Sequence, residues 1–243
     1  VAAMVKPAPT DLQTAAPNAR PDDLARYAGL SDDEKARPWA EENAEAFRAL
    51  LPQGTAVVNA DDLCRAVFLA AAGASRVVEF GIARRADVSG GYTLRHLDSE
   101  IVVRTPDGEA GATLAIPGLH NVRNALAAAA CAWAAGIPPA AIGAGLTAFR
   151  PYTGRLQVKA GPGGATLIDD SYNANPDSVL AAIALLAGLP GPRVLILGDM
   201  GEVGDKGPQW HREVGERAAA AGIEHVLLAG QATRETAAGC GAT

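Results

Sequence analysis

The chain has 243 residues, 49% of them hydrophobic and 20% charged, with a formal net charge of −6 and a mean hydropathy of +0.08. That is enough apolar material for two compact domains and excludes a disordered chain. The acidic balance excludes a duplex-wide nucleic-acid footprint, which needs clustered Lys and Arg to displace phosphate counterions, while a small anionic ligand needs only a few local donors.

Residues 1–52 carry six basic and nine acidic side chains and no strand-like apolar run. Prolines in 1–23 suggest an extended or disordered arm, and no signal-peptide h-region is present. Short helices are predicted over 22-DDLARYAGL-30 and 39-WAEENAEAFRALL-51, the second amphipathic through Trp39, Ala46, Phe47, Leu50 and Leu51. This acidic leader is expected to end near Pro52. From Gly54, 55-TAVVN-59 predicts a strand, 61-DDLCRAVFLAAAG-73 a helix with Asp61 or Asp62 as its cap, and 76-RVVEFG-81 a second strand, a βαβ unit. Strands 91-GYTLRHL-97, 100-EIVVRT-105 and 111-GATLAIPG-118, the last two joined by the turn 106-PDGE-109, predict an antiparallel extension. Helices over 120–135 and 138–148 close a first domain at 53–149, with Gly136 as a stop and prolines opening the next helix.

A second alternating series follows Arg155: strand 165-ATLIDD-170, helix 176–188, strand 193-RVLILG-198, helix 208–221 and strand 225-HVLLAG-230. This is doubly wound α/β grammar and predicts a Rossmann-like second domain at 150–243, truncated. Cys64, Cys131 and Cys240 are far apart and lack CxxC spacing, which argues against a disulfide framework or a zinc site and favours a reducing cytoplasm. The Ala-rich stretch 125-ALAAAACAWAAG-136 is too short for a membrane span.

Polar clusters sit where strands end or helices begin, the places at which open α/β sheets bind ligands. In 118-GLHNVRNALAAAA-130, Asn121 and Asn124 are three apart on one helical turn, so two carboxamides could read a heteroaromatic base. The alternative is that Asn121 or His120 caps the helix and Asn124 faces solvent. In 151-PYTGRLQV-158, Arg155 follows a glycine near the domain boundary and could reach a phosphate; an isolated Arg is otherwise a solvated charge. In 167-LIDDSYNANPDS-178, Asp169 and Asp170 close a strand, where a carboxylate accepts from ribose hydroxyls or caps the helix starting near Pro176. The stretch 197-LGDMGEVGDKGPQWH-211 is glycine-rich, but no GxGxxG or GxxxxGK[ST] occurs in the chain, which argues against a dinucleotide-dependent dehydrogenase and leaves no phosphate-cradling loop. His211 and Glu202 are weaker candidates there, and no His/Cys/Asp/Glu set has metal-ligand spacing.

Together, 59-NADD-62, GLHNVRNALAAAA, Gly154-Arg155, LIDDSYNANPDS and 194-VLILGDMGEVG-204 resemble the Mur ligases in order and spacing over residues 50–243. DDSYNANP and LGDMGEVG look most like the branch that adds D-alanyl-D-alanine to UDP-N-acetylmuramoyl-tripeptide. The resemblance implies an α/β fold made of a partial central domain with a mixed sheet and a truncated Rossmann-like C-terminal domain. It implies ATP-dependent ligation: the substrate carboxylate attacks the γ-phosphate, an acyl phosphate forms, and the amine displaces phosphate, with Mg2+ neutralising charge. It assigns Asn121 and Asn124 to adenine, Arg155 to phosphate, Asp170 to ribose, and Tyr172, Asn173 and Asn175 to the cleft between the domains, near the reacting groups. No metal ligand is assigned in this chain. The partners implied are the two substrates, with no nucleic acid and no membrane span, in a cytoplasmic monomer. The family's UDP-sugar domain, P-loop lysine and magnesium ligands have no counterpart in the sequence, and 42-ENAEAF-47 lacks the lysine that becomes carbamylated. The expectation is therefore a fragment, inactive alone. Other expectations are a tripeptide-forming or folylpolyglutamate synthetase-like ligase, or a non-catalytic nucleotide-binding module.

Overall fold

The computed structural model describes residues 3–5, 41, 43–45, 47–49, 54–201 and 203–241. The chain divides into two units, the first built mainly from residues 54–115 and 119–149 and the second from 150–241. The helix expected over 22–30 lies outside the described residues.

The first unit is a single mixed sheet of β1 (Ala3–Val5), β2 (Thr55–Asn59), β3 (Arg76–Gly81), β4 (Val88–Leu94), β5 (Ser99–Thr105) and β6 (Gly108–Leu114), hydrogen-bonded in that order. β2, β3 and β4 run parallel and the remaining neighbours antiparallel. Val57 and Val58 are buried because β2 has a strand on each side and helices on its faces, the setting in which a strand reads as a continuous apolar run. β1 comes from the leader and pairs Ala3 opposite Val57, a three-residue edge strand in the apolar start 1-VAAMV-5, where the expectation was no strand in 1–52.

Helix α1 (Arg65–Ala72) buries Phe68, Ala71 and Ala72 in a cluster with Ala56, Val58, Ala44 and Phe47. The rings of Phe47 and Phe68 meet edge to face, 5.4 Å apart at 78°. Helical residues 43–45 and 47–49, upstream of the composition change at Pro52, thus share this core, and each buried phenylalanine contributes about 1.5–3 kcal/mol. Helix α2 (Leu119–Ala134) lays Val122, Ala125, Leu126, Ala129 and Ala130 on the sheet, and α3 (Pro139–Ala148), opened by its proline at the first position, packs on β6. The strand expected at 91–97 lies instead at 88–94. Arg95 N–H donates to Asp98 O at 3.0 Å and closes a turn, while Val88 and Ser89 extend the ladder to β3 despite the glycines that follow. The strand expected at 111–118 likewise ends at Leu114.

In the second unit β7 (Gln157–Ala160) and β8 (Thr166–Asp169) form an antiparallel pair, and β9 (Val194–Gly198) and β10 (His225–Ala229) a parallel one. Helices α4 (Pro176–Ala187), α5 (Gly207–Ala220) and α6 (Thr233–Gly239) complete the unit. Val179 and Ile183 of α4, Leu195 and Leu197 of β9, and Val214 and Ala218 of α5 make one buried cluster. The alternating β and α order is as expected, but β8 takes its partner from β7. That short strand went unpredicted because Gln157 to Ala160 is only four residues long and holds a single strand-favouring side chain, Val158. The architecture is α/β, with a mixed sheet in the first unit.

Candidate functional site

β8 delivers Asp169 and the chain then leaves regular structure until α4 begins at Pro176. The cap of α4 is Asn175. Its side-chain oxygen accepts Ser178 N–H at 2.9 Å while Ser178 Oγ accepts Asn175 N–H at 3.1 Å, a reciprocal capping box with proline at the first helical position. Neither aspartate caps the helix.

Both carboxylates are held elsewhere. Asp169 pairs with Lys159 Nζ at 2.5 Å and accepts Ser171 Oγ–H at 2.6 Å and Ser171 N–H at 3.2 Å. The Lys159 ammonium first, and the two Ser171 donors next, pull its carboxyl down to about 2. Asp170 Oδ1 accepts Leu156 N–H at 3.1 Å, leaving Oδ2 without a partner among the described residues.

That bond ties the strand exit to the segment bearing Arg155. Tyr172 N–H donates to Gly154 O at 3.0 Å, and the Arg155 guanidinium lies over the Tyr172 ring, 3.8 Å from its centroid. Gly154 is required at this crossing: its φ is +77°, and an added Cβ would stand 2.9 Å from Tyr172 N. Leu156 also adopts a left-handed φ of +50°, which turns its side chain into the interior and leaves Arg155 exposed. Among the described residues the guanidinium makes no hydrogen bond, so its five donors point to solvent over an aromatic support.

The structure therefore brings Arg155, Asp170 and Tyr172 together. Asn173 Oδ1 accepts Ala174 N–H at 2.9 Å, and Asn173, Asp170 and Ser171 line a cavity of about 350 Å3 between β8, β9 and α4. Asn175 has its oxygen committed to the cap, leaving its NH2 group to face outward. Asn121 and Asn124 lie in the other unit, in the first two turns of α2. Asn121 is the third helical residue, so it is inside the helix, and its amide meets His120 Nε2 at 2.9 Å. Asn124 is exposed and makes no hydrogen bond among the described residues.

Two other polar clusters are structural. Asp61 does not cap α1: it accepts the N–H groups of Ile82, Ala83 and Arg84 after β3. Partial burial pushes its carboxyl up, but those three donors and the charge of Arg123 outweigh burial and hold it below the usual carboxylate range. After β9, Asp199 accepts Thr233 N–H at 2.9 Å and Gln231 N–H at 3.0 Å at the start of α6. The Thr233 donor is the main reason its carboxyl is lowered. His211 is fully buried, accepting Met200 N–H through Nε2 at 3.0 Å and donating from Nδ1 to Gly207 O at 2.8 Å. Glu202 lies outside the described residues. Among those described, no group of three or more His, Cys, Asp or Glu is placed to hold a metal ion.

Lys159 and the capping role of Asn175 escaped the sequence. The second had a signal, Asn-Pro followed by a serine three positions after the asparagine, which is a helix-start signature.

Residues 37–132 match the Mur ligase middle domain, and residues 154–241 the Mur ligase glutamate ligase domain. The chain is 39% identical over 208 residues to the UDP-N-acetylmuramoyl-tripeptide--D-alanyl-D-alanine ligase of Escherichia coli (strain K12), covering 83% of this chain and 46% of that protein. With the enzyme of the same name from Mycobacterium tuberculosis (strain H37Rv) it shares 34% identity over 200 residues, 79% of this chain and 39% of the other. A crystal structure of MurF from Acinetobacter baumannii superposes with a TM-score of 0.73 at 34% identity, covering 81% of this chain and 43% of that one. MurF from Thermotoga maritima, solved in complex with ADP, shares the fold at a TM-score of 0.63 and 20% identity, covering 75% and 42% of the two chains. The chain thus spans less than half the length of these relatives.

Proposed function

Since the chain belongs to the Mur ligase family through its middle and glutamate-ligase domains, we propose that it serves ATP-dependent amide-bond formation, joining D-alanyl-D-alanine to UDP-N-acetylmuramoyl-tripeptide in the synthesis of peptidoglycan precursors. The observation that carries this reading is that Asp170 holds the backbone of Leu156, the residue after Arg155, while the Arg155 guanidinium lies over Tyr172. An anion receptor with free donors stands beside a carboxylate with a free oxygen, which is the chemistry needed for a phosphate and a ribose hydroxyl. The two amides of α2, Asn121 and Asn124, are assigned to the adenine edge, and the outward amide of Asn175 with Asn173 to the substrate side.

Bound ATP supplies the phosphoryl group that activates the substrate carboxylate. Arg155 orients the phosphate chain and offsets its charge, worth more as water is excluded. Asp170 fixes the sugar through Oδ2 while its Oδ1 stays on Leu156 N–H. Mg2+ accompanies such chemistry in general, but no set of described residues fits it, and no step here depends on it. The sequence has no GxxxxGK[ST] loop to grip the triphosphate, so the 243-residue polypeptide is expected to bind nucleotide with little or no turnover, as a cytoplasmic monomer. No described helix is long and apolar enough to cross a membrane.

Isothermal titration of the chain with ATP and with adenosine tests this reading, alongside phosphate release with both peptide substrates. Binding of ATP weakened by Arg155→Ala, and of both ligands by Asp170→Asn, is the expected result. Nucleotide binding without turnover marks a nucleotide-binding module; robust turnover refutes the inactivity of the polypeptide, and no binding at all refutes the site.

A further inference from the structure

Tyr172 is 68% exposed, an unusual setting for a large aromatic side chain, and it has no hydrogen bond from its phenol among the described residues. What it does have is a cation on its ring face, Arg155 at 3.8 Å, at a distance where ring and guanidinium are in van der Waals contact. Its own backbone N–H holds Gly154 O, the residue before that arginine, and the neighbouring Asp170 holds Leu156 N–H, the residue after it. Arg155 is thus fixed on both sides along the backbone and from beneath by a ring, while its donors remain free.

We infer that Tyr172 is a positioning residue for Arg155, acting on phosphate recognition through the guanidinium and not by touching the substrate. The inference rests on the reading of Arg155 as the phosphate receptor. A long arginine side chain free in water samples many rotamers, and each must be frozen on binding. Held 3.8 Å over the Tyr172 ring, the guanidinium has lost part of that freedom before an anion arrives, and among the described residues its donors stay unbonded. The ring face is the working element and the hydroxyl is dispensable, so phenylalanine substitutes and alanine does not.

The test has two arms on the full chain. In the first, NMR of the unliganded protein reads the Arg155 side-chain protons, which a ring face shifts upfield; the shift is expected in wild type and Tyr172→Phe and lost in Tyr172→Ala. Its absence in wild type overturns the inference whatever the nucleotide does. In the second, NMR titration with ATP, and adenosine as control, is run on Tyr172→Ala, Tyr172→Phe, Arg155→Ala and the Arg155→Ala/Tyr172→Ala pair. Tyr172→Ala is expected to weaken ATP about three- to tenfold with adenosine unchanged, Tyr172→Phe to match wild type, and Tyr172→Ala to add nothing once Arg155 is alanine. Tyr172→Phe as damaging as Tyr172→Ala, or an undiminished loss in the Arg155→Ala background, overturns positioning in favour of direct contact by the phenol. An upfield shift with ATP affinity unmoved by Arg155→Ala separates the two claims: the stack stands, the phosphate reading falls, and the role of Tyr172 in binding falls with it.

Discussion

Gly230 faces Asp199 so closely that a Cβ built on the glycine would stand 2.1 Å from Asp199 Oδ1. The carboxylate needs that approach to reach the N–H groups of Gln231 and Thr233, and Gly230 itself adopts a φ of +135°. Gly230→Ala is therefore expected to destabilise the protein by about 2–3 kcal/mol, combining backbone strain with a displaced carboxylate. A urea titration checks this; a change within experimental error would show that the loop relaxes at no cost.

The capping box makes a separate prediction. Ser178→Ala removes one half of the reciprocal bond and Asn175→Ala the other, and each is expected to cost about 1 kcal/mol of stability. Asn175→Asp keeps the acceptor and is expected to hold stability near wild type by the same titration. If Asn175→Asp also abolishes substrate binding while leaving stability intact, the NH2 group that the cap leaves outward is the part that works at the site.

Acid sensitivity follows from two ion pairs. Lys159 holds the Asp169 carboxyl, and Arg193 the Glu224 carboxyl, at about 2, below the ordinary values of 3.8 and 4.5. Because the folded values are the depressed ones, the stability these pairs contribute is fully present above about 4.5 and is lost as pH falls through about 2. Denaturant midpoints measured from pH 7 down to pH 2 are expected to fall most steeply in that window. Lys159→Met and Arg193→Met are expected to flatten the fall, and an unchanged slope in both would refute the assignment.

Asn124, exposed and without a hydrogen bond among the described residues, is expected to matter to ligand and not to folding. Asn124→Ala should weaken adenosine about tenfold while leaving the thermal midpoint in place. A stability loss without an affinity change would reverse that assignment.

The periodic parts of the chain were legible and its tethers were not. TAVVN and RVVEFG gave β2 and β3 to the residue, since both are short apolar runs bounded by turn-forming residues. β7 stayed hidden because its alternation runs for only four residues with one strand-favouring side chain, and its partner β8 lies across a turn. At the site, the sequence placed Arg155, Asp170 and Tyr172 among the candidates but could not show that Arg155 lies over the Tyr172 ring or that Asp170 holds the next residue, Leu156. The fold brings them together through a left-handed Leu156, which no local pattern predicts. Asp61 or Asp62 of 59-NADD-62 reads as a cap, and a cap is one of the two readings of Asp169 and Asp170, because sequence reveals only near neighbours. Asp61 in fact bonds to residues 82–84 and Asp170 to residue 156.

The bond from Leu156 N–H to Asp170 also sets a length. It joins the residue next to the cationic group to the residue carrying the free carboxylate oxygen, so the separation between those two chemistries is built into the protein before any ligand arrives. On the reading proposed here the surface acts as a ruler laid along a nucleotide from sugar to phosphate chain. A bare nucleoside reaches one mark and an inorganic phosphate the other, and only a molecule of the right span meets both.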